Sequence, residues 1–326
     1  MSNPAAKVTV LMSVYNGERF VKEAIESILN QTLTDFEFII VDDASSDETF
    51  EILQKYAKND CRVIIEKNDF NLGLTKSLNK GLSKCKGKYI ARLDADDIAV
   101  KNRLQKQYSY MESHSETSFL CSDVIVIGEK GHKLKETCVN PRGLPIEQFL
   151  LFNVPLIHSA MFFRRDVISR LGGYDENYHT RQDLELWLRA LRQNYHMDIM
   201  HEKLVFLRYH SASLSNNSID NLYLSQAIRL MHLAHKHGLD LTRDEAFECV
   251  KSSFLCRHFI QKVQTRKIAK SCLDKLYVGS YFIALREFVR VISRFYYWTS
   301  LSRRFVLMHL LRKCLKKKEA AGDRTT

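Results

Sequence analysis

The chain has 326 residues, 45% of them hydrophobic and 27% charged, which excludes a disordered chain and allows one large domain with an appendage. Its net charge of +11 points to a polyanionic or phosphate-bearing partner such as nucleic acid, an anionic membrane surface or a phosphorylated substrate. No run reaches the roughly 18 uncharged apolar residues that a membrane-spanning helix needs.

Val8 to Val14 is apolar and β-branched and reads as a buried strand, with Asn16-Gly17 as the following turn. Phe20, Val21, Ala24, Ile25, Ile28 and Leu29 then fall on one helical stripe. Phe36 to Val41 is a second strand, and Ser45 with Glu48 three residues on forms a capping-box pattern that starts a helix through Phe50, Leu53 and Tyr56. Val63 to Ile65 is a short third strand. Leu74, Leu78 and Leu82 mark a helix ended by Gly87, and Tyr89 to Leu93 is a fourth strand running into Asp94-Ala95-Asp96-Asp97. Strands alternating with helical segments predict an α/β fold with a mainly parallel sheet.

Beyond a helix at Arg103 to Met111, the pattern loosens into Phe119 to Ile127, a polar turn at Gly128 to Gly131 and a strand at Ser159 to Phe163, as expected where a sheet gains antiparallel strands. Leu184, Trp187, Leu188 and Leu191 form another helical stripe, and Val205 to Tyr209 reads as the last strand. From Asn221 onward the sequence reads as helix only, which places a boundary near Asn216-Asn217-Ser218. The expected division is a domain over 1–216, its halves meeting near residue 115, and a basic helical region over 217–326.

The eight cysteines include no CxxC pair and no Cys/His cluster at zinc spacing. With a short polar N-terminus that lacks the pattern of a cleaved leader, they predict reduced thiols in a cytoplasmic protein.

In a parallel sheet the ligand crevice lies beyond the carboxyl ends of the strands. Three polar clusters are expected there: Ser13-Tyr15-Asn16, Asp42-Asp43 and Asp94-Asp96-Asp97. Each alone is explained by turn and cap formation; their convergence is not. Asp94 and Asp96 can present two carboxylates to one hard divalent cation, Mg²⁺ or Mn²⁺, which offsets the charge on a departing diphosphate.

MSVYNGERFVKEAIESILNQT, IIVDDASSDET, NLGLTKSLNKGL, GKYIARLDADD, HSAMFFRRDVI and QDLELWLRAL, in this order, resemble the motif series of family 2 glycosyltransferases, among them those of bacterial surface-polysaccharide and O-antigen synthesis. The resemblance spans about residues 7 to 212. It implies a GT-A fold and an inverting hexosyl or aminosugar transfer from a nucleotide diphosphate sugar, of UDP-glucose or UDP-galactose type, to a glycan hydroxyl. Carried over residue by residue, it sets Tyr15 against the base, Asp43 in hydrogen bond to it, Ser13 among the nucleotide contacts, and Asp96 with Asp94 on metal and diphosphate. Asp183 matches the general base, although Gln182 stands where the family commonly has Glu. His210 resembles a late histidine that contacts metal or diphosphate, while His158 and Trp187 are acceptor-side candidates.

Between Arg286 and Lys318 lie ten Arg or Lys residues and one acid, Glu287. Arg286, Arg290 and Arg294 share one helix face, and a second basic segment runs from Arg303 to Lys318. The expectation is docking on the inner face of the cell membrane, with an acceptor carried on a lipid diphosphate such as undecaprenyl diphosphate. Two other readings are weaker. A sugar nucleotidyltransferase calls for a Gly-rich phosphate loop where SVYNGERF stands, and a nucleic-acid-binding protein leaves the three acidic clusters unexplained.

Overall fold

The computed structural model describes residues 6–140, 143–152, 156–210, 219–253, 307–312 and 314. The chain divides into two compact units, Met1–Ile146 with Pro155–Ser215, and Glu147–Val154 with Asn216–Thr326. The first holds a nine-stranded mixed sheet among its described residues.

Its parallel part comprises β1 (Val8–Val14), β2 (Phe36–Asp42), β3 (Val63–Lys67) and β4 (Tyr89–Arg92), with β1 between β2 and β4. All seven residues of β1 and all seven of β2 are buried. A sheet covered on both faces demands such continuous apolar runs, and each buried Val, Leu or Ile there contributes about 1.5–3 kcal/mol. Register sets Val14 opposite Asp42 and Leu11 opposite Arg92, so β1 and β2 end level while β4 ends three residues earlier and its acids follow alongside the last residues of β1. The covering helices are α1 (Val21–Leu29), α2 (Thr49–Asn59) and α3 (Leu74–Lys84). Helix α1 turns Val21, Ala24, Ile25 and Ile28 inward, the stripe read from the sequence.

The rest of the sheet is antiparallel in part. Beyond β5 (Ile98–Ala99) and helix α4 (Arg103–Ser113) come β6 (Thr117–Gly128), β7 (Lys133–Thr137), β8 (Met161–Arg164) and β9 (His196–Tyr209). Strand β8 lies antiparallel between β4 and β6, β7 pairs antiparallel with β6, and β9 runs parallel to β6. A 3₁₀ turn over His158–Ala160 occupies the start of the expected 159–163 strand. Helices α6 (Arg165–Arg170) and α7 (Gln182–Arg192) complete this unit.

In the second unit, α5 (Ile146–Phe152) belongs with α8 (Ile219–Lys236) and α9 (Arg243–Ser252). Arg229 Nε donates to Leu150 O at 2.8 Å, and Glu147 accepts from Lys236 Nζ at 2.8 Å. These bonds tie α5 to α8 within that unit. The basic face at Arg286, Arg290 and Arg294 lies outside the described residues, as do Arg303 and Lys318. Among the described residues no helix is long and apolar enough to cross a membrane.

Two expectations are corrected by packing. The capping box at Ser45 does not form: α2 starts at Thr49, and the Ser45 hydroxyl instead accepts from Asn16 N at 3.0 Å. Trp187, expected at the acceptor side, is 0% exposed and packs edge-on to Phe119, with Phe163 beside it. A ring so enclosed has no face for a ligand. His158 stands next to it and shares a 2.7 Å hydrogen bond between Nε2 and the Tyr174 hydroxyl. Burial, with Arg92 nearby, pushes the His158 pKa down to about 3.

Close approach of the turn before β4 to β1 requires Gly87. A Cβ there would lie 2.4 Å from Thr9 N and 2.6 Å from Val8 C, both backbone atoms. Gly87→Ala is expected to cost about 2–3 kcal/mol, read as a lower urea midpoint at unchanged slope. His158 provides a second test. Its folded pKa lies below the ordinary histidine value of 6.5, so the unfolded chain takes up a proton that the folded chain refuses as pH falls from 6.5 toward 3. Stability therefore drops over that window, and in His158→Gln the drop is shallower by this one group.

Candidate active site

The crevice at the carboxyl ends of β1, β2 and β4 is built first from two loops that hold each other. Asn16 Oδ1 accepts from Ser46 N at 2.8 Å, Gly17 N donates to Thr49 Oγ1 at 2.8 Å, Glu18 N donates to Asp47 Oδ2 at 3.1 Å, and Glu48 N donates to Glu18 Oε2 at 2.9 Å. The Tyr15 ring stands at the rim, 52% exposed, a free aromatic face of the kind that stacks on a base. Ser13 is 8% exposed within β1. It is the penultimate residue of that strand, at the crevice end.

Asp43 has a structural task that the sequence did not disclose. Its Oδ1 accepts from Asn68 Nδ2 at 2.7 Å and Leu72 N at 2.8 Å, and its Oδ2 accepts from Gly73 N at 2.9 Å. A carboxylate has about four acceptor positions, so three are spent on the loop that leads into α3. Asn68 is fixed in turn by Ser77 Oγ at 2.8 Å.

The acids after β4 are held from three directions. Arg92, fully buried, pairs through Nη2 with Asp94 Oδ1. Asp94 N donates to Ser159 Oγ at 3.0 Å. Asp97, 1% exposed, accepts from Arg208 N at 2.7 Å, while Arg208 Nε donates to Asp96 O at 2.9 Å. Arg208 also pairs with Glu23 of α1. Buried arginines after a strand and before a turn were the available signal for this framework, but spacing does not say which acid each one meets.

On that framework Asp94 and Asp96 keep about a third of their side chains exposed, 34% and 30%. His210, just past β9, brings Nε2 to 2.9 Å from Asp96 Oδ2, so three residues singled out in the sequence converge. Burial raises the Asp96 pKa, the Asp94 charge raises it further, and His210 opposes both. Burial likewise lifts Asp97 well above the usual carboxylate range, with Asp96 and Asp94 adding to it. Crowded carboxylates of this kind fit a hard divalent cation such as Mg²⁺ or Mn²⁺, which relieves their repulsion and accepts oxygen and imidazole donors.

Asp183 opens α7, half-buried, with Oδ1 accepting from Leu184 N at 2.8 Å. That bond is the helix-start stabilisation expected for its ionised form. Burial outweighs it: the Asp183 pKa is raised, with the Asp94 charge acting in the same direction and Arg181 against it. The Asp94 carboxylate is near enough for its charge to act on Asp183.

Backbone strain marks the same place. Four non-glycine described residues have positive φ: Asn16, Ala44, Arg181 and Asn194. Three of them border Tyr15, Asp43 and Asp183. Ala44 and Arg181 lack the side-chain chemistry that eases Asn into the left-handed region, and such outliers concentrate at working sites.

Comparison with known proteins agrees with this geometry. The family described as glycosyl transferase family 2 matches residues 9–172. The O-antigen biosynthesis glycosyltransferase WbnJ of Escherichia coli is 34% identical over 217 residues, 65% of this chain and 83% of that protein. S. aureus TarS, solved with UDP-GlcNAc, superimposes with a TM-score of 0.56 at 19% identity over 78% of this chain and 72% of that one. The mannosyltransferase PcManGT of Pyrobaculum calidifontis, solved with GDP-Man and Mn²⁺, does so with a TM-score of 0.58 at 14% identity, covering 96% and 88%. Fold, ordered motifs and the grouping of Asp94, Asp96 and His210 after β4 and β9 have a common explanation: the chain belongs to glycosyl transferase family 2 and has the GT-A fold.

Proposed function

We propose that this glycosyltransferase moves a hexose or aminosugar from a UDP-sugar, of glucose or galactose type, to a hydroxyl of a lipid-linked glycan, with inversion, in surface-polysaccharide synthesis. The observation that carries the reading is the cluster of Asp94, Asp96 and His210 beyond β4, with His210 Nε2 at 2.9 Å from Asp96 Oδ2. WbnJ, an O-antigen biosynthesis glycosyltransferase, supports the pathway. TarS with UDP-GlcNAc supports a uridine donor, while PcManGT with GDP-Man makes GDP-mannose the competitor to test.

In this reading Tyr15 stacks on the base. Asp43 uses its remaining acceptor position toward the base while it holds the 68–73 loop. Asp94, Asp96 and His210 hold a divalent cation at the diphosphate. When bound, that cation supplies charge neutralisation for the departing diphosphate. Asp183 accepts the proton of the attacking hydroxyl as its oxygen bonds the anomeric carbon and the bond from that carbon to the diphosphate oxygen breaks. Burial of Asp183 strengthens it as a base, which suits proton removal near neutral pH.

Nucleotide release should follow a UDP-sugar with Mn²⁺ and a membrane lipid extract as acceptor, and the new linkage should be β from an α-linked donor. An α product excludes the single displacement. Asp183→Asn is expected to lower kcat by about 10²–10⁴ while nucleotide binding, read by calorimetry, is kept; Asp96→Asn should weaken both. Because the Asp183 pKa is raised, kcat should decline on the acid side at a pH above the ordinary aspartate range, where protonation removes the base. Removing residues 303–326 should release the protein from sedimenting membranes; unchanged sedimentation removes the docking role from that segment.

A further inference from the structure

A second cluster of ligating groups lies outside this crevice, where β6, the end of β7 and an irregular stretch of β9 meet. Asp123 on β6, Cys138 just past β7 and His201 on β9 bring one ligand atom each within 4.8 Å of one another. Pairing of β6 with β9 sets Ser122 opposite Met200 but Asp123 opposite Lys203. His201 and Glu202 are therefore extra residues on β9, and this bulge brings His201 to Asp123. Bulges of this sort re-aim a side chain out of the regular ladder. The separations of 78 residues between Asp123 and His201, and of 63 between Cys138 and His201, match no zinc spacing along the chain, which is why the cluster is visible only in the fold.

The geometry points to a divalent transition-metal site of the zinc class formed by Asp123, Cys138 and His201. His201 Nδ1 lies 3.6 Å from Cys138 Sγ and 3.3 Å from Asp123 Oδ2. The second distance is long for a hydrogen bond. Both fit ligands sharing one ion: tetrahedral bonds of about 2.3 Å to sulfur and about 2.0–2.1 Å to nitrogen and oxygen set S and N about 3.6 Å apart, and N and O about 3.3 Å apart. The same contacts exclude a nucleophilic relay. In a relay the histidine uses its two nitrogens for two partners, whereas here thiol and carboxylate both face Nδ1.

The three donors are of sulfur, nitrogen and oxygen type, which suits zinc or cobalt and not the hard cation matched by Asp94 and Asp96. Asp123 is 4% exposed and braced, its other oxygen accepting from Val139 N at 2.7 Å, so the carboxylate stays aimed at the cluster. Lys203, the nearby cation, is engaged by Glu136 at 2.6 Å. Cys138 and His201 are exposed, so an ion enters from solvent and a fourth position faces water. Binding forms a metal–sulfur bond as the thiol proton passes to solvent, with no change of oxidation state.

Titration of the full-length protein with Co²⁺, in a reductant without thiols, tests this. The expected result is a thiolate-to-cobalt charge-transfer absorption in the near ultraviolet that saturates with cobalt and is bleached by Zn²⁺. Cys138→Ser should lose it, His201→Gln should weaken it, and Asp96→Asn should keep it. Both substituted side chains of the cluster are exposed, and circular dichroism confirms that the variants are folded. Absence of the band in the wild-type protein, or its full retention in Cys138→Ser through a thiol such as exposed Cys61, overturns the site. Transfer of sugar is read separately, so the outcome is independent of the donor assignment.

Discussion

The carboxylate of Asp97 and the backbone of Arg208 form the contact on which the crevice beyond β4 depends. Three acids stand within four residues after β4, and left to themselves they repel one another and favour an open, solvated loop. Burying Asp97 commits the loop to one conformation, and the amide of Arg208, 111 residues later, satisfies one of its oxygens. The Arg208 side chain then reaches Asp96 O, Glu129 O and Glu23. Asp94 and Asp96 are the residues left facing the crevice. The arrangement places a strand from the second half of the domain under a loop from the first, so neither half makes the acid cluster alone.

A buried carboxylate beside two others is costly, and paired arginines offset that cost without removing it. Arg92 is enclosed beneath Asp94, and Arg103 is enclosed behind it, donating to Arg92 O at 2.8 Å and to Gln107 Oε1 at 2.9 Å. This stack of cations under a group of anions explains why so many charged residues lie in the interior of a domain whose sheet is otherwise apolar. Strain at Asn16, Ala44 and Arg181 adds to the cost at the same end of the sheet. The apolar burial of β1, β2 and the helices over them maintains the fold against both.

Much of the first unit was legible because its signals are local. Runs such as Val8 to Val14 can only be two-sided strands, and the stripe from Val21 to Ile28 has one solution. The acids after β4 were legible because a strand ended in them, and His210 through its resemblance to a late histidine of the family. What spacing did not disclose depends on partners distant in the chain. Ser45 looks like a helix cap until Asn16 is seen to claim its hydroxyl, and Asp43 looks like a free ligand until Asn68, Leu72 and Gly73 are seen on it. Trp187 carries the composition of a binding wall and the surroundings of a core residue; only packing against Phe119 and Phe163 decides between them. The length of β9 was also hidden, because its first half is polar and irregular and follows no strand alternation.

The lacing of the loop after β1 to the loop after β2 has a further consequence. Five hydrogen bonds between them join a backbone amide of one to a side chain of the other, so the shape of either is written partly in its neighbour's residues. The two segments should behave as a single inherited cassette. Insertions in one alone would unpair amides in both, and an exchange intended to change the recognised base would need to carry residues 15–18 and 45–49 together.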